Sequence, residues 1–151
     1  DAACARLIEA SLEVSGVSPA RIDLALNADT LARAGMTVDT LRRLGVGLAL
    51  DQAGTDDFPL DALARGGFRA LRIPAELVER LGHDEHAEGV IELLVNLAAG
   101  LRVELVACGV TSAAHFLVAI GCPLQQGALY GPPLTAGSFA TRLRTQSGQP
   151  R

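Results

Sequence analysis

Val46-Gly47-Leu48-Ala49-Leu50-Asp51-Gln52-Ala53-Gly54-Thr55 is the stretch that decides the fold of this chain. A short apolar run ends in a carboxylate and an amide and then breaks at a Gly-Thr turn. It reads as a strand buried on both faces that hands polar groups to a loop at its C-terminal end. Five such strands are predicted, at residues 21–26, 46–51, 70–73, 102–107 and 124–126. Gly16, Gly45, Gly66, Gly100 and Gly121 precede them in turn, where a helix ending in a left-handed residue places glycine. Amphipathic segments at 37–44, 74–81, 85–99 and 111–120 lie between them, so the chain alternates helix and strand as parallel βα units do.

A doubly wound sheet and a barrel both fit that alternation. No G-x-G-x-x-G follows any strand, which argues against a dinucleotide fold. Barrels draw their functional groups from the C-terminal ends of several strands. Asn27, Asp51, Arg72, Cys108 and Gln126 stand at those positions, and the reading is therefore a TIM-type (β/α) barrel, of which this chain supplies about the last five units. Five strands do not close an eight-stranded barrel. The exposed edges at 21–26 and 124–126 are expected to be covered by further N-terminal strands or by association with another chain. The opening at Asp1, already inside a helical pattern, suggests a piece of something longer. Residues 1–144 form the domain, and 145–151, without an apolar period, are expected to be a frayed tail.

Composition narrows the function. Of 151 residues, 49% are hydrophobic and only 3% aromatic, with no Trp and one Tyr, so a base-stacking platform is excluded. A net charge of −4 with scattered arginines gives no basic stripe for a nucleic-acid polymer or an anionic membrane. Cys4, Cys108 and Cys122 are odd in number and lack C-x-x-C spacing, so neither a disulfide framework nor a zinc ribbon is indicated. No apolar run reaches the ~18 to 20 residues of a membrane span, and the chain opens without the basic start of a signal peptide. Cytoplasmic residence, with no membrane contact by this segment, follows.

Several motifs form a frame in fixed order. The stretch 48–55 is similar to L-A-L-D-D-F-G-T-G, with Gln52 in place of the second Asp. Ser15-Gly16-Val17-Ser18-Pro19 resembles S-G-L-x-P, Leu71-Arg72-Ile73-Pro74 resembles L-K-I-D, and Ala107-Cys108-Gly109-Val110-Thr111-Ser112 resembles A-E-G-V-E-T. Gly121-Cys122-Pro123-Leu124-Gln125-Gln126-Gly127 matches G-C-D-x-x-Q-G. Together, from about Leu12 to about Leu143, they resemble the EAL domain family, bacterial phosphodiesterases and receptors for the second messenger cyclic di-GMP.

The resemblance implies a barrel, a Mg or Mn site built from carboxylates, and cyclic di-GMP as ligand. At five positions this chain departs from the family's acids, having Ala25, Ala28, Gln52, Cys108 and Thr111. Metal-dependent phosphodiester hydrolysis clamps the attacking and leaving oxygens between ions ~4 Å apart held by hard oxygen ligands. A cluster reduced to Asp51, amides and a thiol is not such a site, so the family's metal is expected to be lost, with no catalytic residue and no cofactor. Asp51, Arg72 and Gln126 remain as the ligand-binding candidates. Asp51 otherwise bonds nearby backbone, and Arg72 either grips a phosphate bidentately or pairs with Asp51.

Other candidates have plainer readings. No His is placed to serve Cys108 as a base, so it reads as a small buried hydrophobe. His83-Asp84-Glu85-His86 reads as the solvated first turn of a helix, and His115 as packing. Gly127-Ala128-Leu129-Tyr130 lacks the Lys-Ser/Thr ending of a phosphate loop and reads as a connection. The expected function is a catalytically inactive, EAL-like regulatory or protein-interaction module in cyclic di-GMP signalling, with a nucleotide receptor as one form of it. A protein partner or a homo-oligomer is implied. The alternatives are an active phosphodiesterase whose ligands are completed by upstream strands, or an unrelated (β/α) barrel enzyme.

Overall fold

A computed structural model describes residues 2–34, 36–112 and 114–147. The glycine and apolar-run punctuation is realised as helix α1 (Ala2–Ser15), strand β1 (Asp23–Leu26), α2 (Ala28–Ala34), α3 (Met36–Leu44), β2 (Gly47–Leu50), α4 (Leu60–Ala64) and β3 (Ala70–Ile73). These are followed by α5 (Ala75–Val78), α6 (Glu85–Leu101), β4 (Glu104–Ala107), α7 (Ala114–Ala119), β5 (Leu124–Gln125) and α8 (Ala136–Ser147). All four strand pairings are parallel and the spatial order is β1-β2-β3-β4-β5.

That order chooses between the two α/β architectures. When every crossover steps one strand in the same direction, right-handed connections put all the helices on one face, whereas a doubly wound sheet reverses direction at a switch point. The register agrees, because Leu26 sits opposite Leu50, Leu50 opposite Leu71, and Leu71 opposite Leu105. Leu48, Leu50, Leu71, Ile73, Leu105 and Ala107 share one buried cluster with Leu41, Leu63, Leu77, Ile91, Leu94 and Leu117 from the helices. The opposite face carries Ala25, Ala49, Ala70 and Arg72. The sheet is thus five consecutive units of a TIM-type barrel, and among the described residues β1 and β5 each have a strand on one side only.

Several boundaries differ from expectation. Residues 19–21 form a 3-10 turn before β1, since Pro19 fixes φ and removes a ladder donor at its first position. Helix α6 runs through Gly100 and ends on Arg102 in the left-handed conformation (φ 57°), so Gly100 is not its terminator. Gly16, Gly45, Gly66 and Gly121 do take positive φ as predicted. Helix α8 continues through Thr145 to Ser147 into the expected tail. The hydroxyl of Thr145 donates to the Thr141 carbonyl at 3.1 Å, a bond that needs no apolar period. Residues 148–151 and the side chain of His115 lie outside the described residues.

Candidate functional site

The loop after β2 is shaped by bonds that begin at Asp51. Its backbone N–H donates to Leu26 across the sheet at 2.9 Å, and its Oδ1 accepts the N–H of Gln52 at 3.0 Å. Gln52 takes φ 62°, a conformation that non-glycine residues rarely adopt. Its carbonyl is held in turn by the hydroxyl of Thr55 at 2.9 Å. Gly54 (φ 89°) lies where a Cβ would stand 3.0 to 3.1 Å from Val90, Leu77 and Leu94, so the turn seats directly on α5 and α6. This glycine lets the chain reverse while touching the helix layer.

Arg72 leaves β3 from the face that carries Ala49 and Ala70. Its Nε approaches Asp51 Oδ1 to 3.7 Å, and its Nη2 donates to Gln126 Oε1 at 3.1 Å. The three residues predicted from separate strand ends therefore meet, with Arg72 reaching from β3 both to the end of β2 and past β4 to the end of β5. The 3.7 Å approach is an ion-pair distance and too long for a hydrogen bond, and Nε is enclosed without a hydrogen-bond partner among the described residues. The side chains of Arg72 and Asp51 are 26% and 39% exposed, so water still reaches the pair.

Gln126 is positioned by backbone bonds on both sides. Its N–H donates to Ala107 at 2.8 Å, and its carbonyl accepts from Val110 at 3.0 Å. The next residue, Gly127, passes so close to Val110 that a Cβ would lie 2.2 Å from backbone atoms. That close approach brings the end of β5 within reach of Arg72.

Cys108 stands half-buried at the end of β4, its thiol 3.9 Å from the Val106 carbonyl. Burial pushes this thiol above the ordinary range, the nearby Arg72 charge works against that, and Asp51 adds to it. A raised thiol is a poor nucleophile at neutral pH.

The other expected residues are scattered. Asn27 caps α2, accepting the Thr30 N–H at 2.9 Å. It also lines a cleft of about 460 Å³ with Ala28, Asp29, Ala32, Gln52 and Asp57, beside the Asp51 site. Sequence reasoning missed that cleft because α2 was not anticipated, although the cap Asn27 was its signal. Ala25 pairs with Ala49 within the sheet, and Thr111 lines a separate small cleft with Glu79, His83 and Ser112. The stretch 83–86, read as a first helical turn, meets the start of α6, where Asp84 is the cap, its Oδ1 accepting from His86 at 2.9 Å. An ion pair with Arg80 holds its carboxyl below the usual range. No three His, Cys, Asp or Glu side chains converge on a point that could hold a metal ion among the described residues. No helix among them is long and apolar enough to cross a membrane.

Known proteins share this frame. The EAL domain family model matches residues 1–133. An uncharacterized signaling protein of Caulobacter vibrioides is 29% identical over 150 residues, covering 95% of this chain and 18% of that protein. The bifunctional diguanylate cyclase/cyclic di-GMP phosphodiesterase MucR of Pseudomonas aeruginosa is 33% identical over 101 residues, covering 66% of this chain and 15% of that protein. The chain therefore spans less than a fifth of either relative. The solved MucR phosphodiesterase in complex with c-di-GMP superposes with a TM-score of 0.77 at 27% identity, over 87% of this chain and 56% of that one. The EAL domain of Mycobacterium smegmatis DcpA gives a TM-score of 0.82 at 22% identity, over 93% and 66%, a likeness of fold.

Proposed function

Because this chain belongs to the EAL domain family, we propose that it is a catalytically inactive regulatory or protein-interaction module of cyclic di-GMP signalling, acting in the cytoplasm. The observation that carries this reading is the state of Asp51. The one carboxylate left at the tip of β2 is held by the Arg72 guanidinium at 3.7 Å. Its neighbours are an amide at Gln52 and a thiol at Cys108. A divalent ion prefers several hard oxygen ligands, and two ions need more. These residues do not fit a Mg or Mn centre, and no hydrolytic step is routed through one.

Two features favour interaction over catalysis. Among the described residues β1 and β5 each have a neighbouring strand on one side only, and Leu134, Phe139 and Leu143 on or beside α8 are exposed. These surfaces suit further strands of the barrel, a protein partner or a second copy. A receptor role draws on Arg72 as a hydrogen-bond donor to phosphate, since the fork of a guanidinium suits that contact.

The test is turnover of cyclic di-GMP by the intact protein in Mg²⁺ or Mn²⁺. Hydrolysis no faster than a metal-only control is expected. Turnover well above it and abolished by Asp51→Asn would overturn the proposal and favour an active phosphodiesterase. Calorimetric titration with the nucleotide separates a receptor from a pure scaffold.

A further inference from the structure

We draw no further inference here: the strongest candidate, the apolar groove of about 270 Å³ between α1 and the edge of β1, lined among others by Leu7, Ile8, Leu12, Val17, Ile22 and Leu24, carries nothing because nothing among the described residues shows what covers it.

Discussion

At each end of the same sheet an arginine reaches across neighbouring strands to an aspartate, and the two arrangements differ in a way that separates scaffold from site. At the N-terminal end Arg69 Nη1 lies 2.9 Å from Asp23 Oδ1 on β1 and donates to the Ala20 carbonyl at 2.9 Å. The bridge runs over Gly47, where a Cβ would fall 1.7 Å from Asp23 Oδ1 and 2.7 Å from Arg69 Cζ. At the C-terminal end, Arg72 stands 3.7 Å from Asp51, and its Nε has no hydrogen-bond partner among the described residues. The first is short, satisfied and fitted to a gap. The second is long and incompletely bonded, although it sits where barrels keep their chemistry. Local compromise of this kind is expected at functional positions and not at structural ones.

The glycines that shape each end differ most in what a methyl would meet. Gly127→Ala at the C-terminal end drives a methyl into the backbone of Val110, 2.2 Å from both its nitrogen and its oxygen. Backbone cannot swing aside, so a loss on the order of 2 to 4 kcal/mol is expected from urea melts. Gly47→Ala at the other end first meets side-chain atoms of Asp23 and Arg69. They can move into solvent, so the cost should stay below about 1 kcal/mol. Equal losses at the two glycines would mean that the ends are equally rigid.

A cysteine also stands towards each end, and the pair sharpens the contrast through pH. Cys122, ahead of β5, is fully buried, and its thiol lies 3.6 Å from the Leu105 carbonyl. Burial pushes it up to about 11 from its ordinary 9.0. Its folded value exceeds its unfolded one, so its contribution is intact below pH 9. It is lost as the pH rises towards 11, because the unfolded chain then ionises first. The loss should reach roughly 2 to 3 kcal/mol at the top of that window. Melts at pH 8, 9.5 and 10.5 check this, the slope for Cys122→Ala being flatter than for wild type. A wild-type slope no steeper than the variant's would show that the thiol ionises freely in the fold. Cys108 is also raised, but it is half-buried, so its reaction with iodoacetamide should be faster than that of Cys122.

How much of this could be read beforehand depended on whether a feature is local. The strand β3 at Ala70–Ile73 falls where an apolar run follows a turn glycine. Asp51, Arg72 and Gln126 were recognisable as strand-end groups for the same reason, and parallel register then brings them to one mouth. Other features were hidden by a weak local pattern or depend on partners far away in sequence. Gly100 looked like a helix end, but α6 runs on to Leu101 and closes on a left-handed Arg102, whose N–H donates to the Ala98 and Ala99 carbonyls. Asn27 looked like a site residue, yet it was taken by the cap of a helix whose own pattern is weak. The Arg69–Asp23 bridge left no trace in spacing, because it needs the β1-β2-β3 register and the missing side chain of Gly47 together.

The two ion pairs themselves are weak, and their couplings can be set one against the other. Asp23 and Arg69 are 42% and 39% exposed, and Asp51 and Arg72 are 39% and 26% exposed. Solvent screens both, so a double-mutant cycle with Asp→Asn and Arg→Met should return a coupling of about 0.2 to 1 kcal/mol for the N-terminal pair. The C-terminal pair should couple less strongly. Its 3.7 Å separation forfeits the directed bond that the 2.9 Å contact makes, and the greater burial of Arg72 recovers only part of the Coulomb attraction. Both couplings should shrink in 1 M salt, where the screening length falls to about 3 Å. A C-terminal coupling that exceeds the N-terminal one would reverse the assignment, making Arg72 the structural bridge and leaving the mouth of the barrel with no group held in reserve for a ligand.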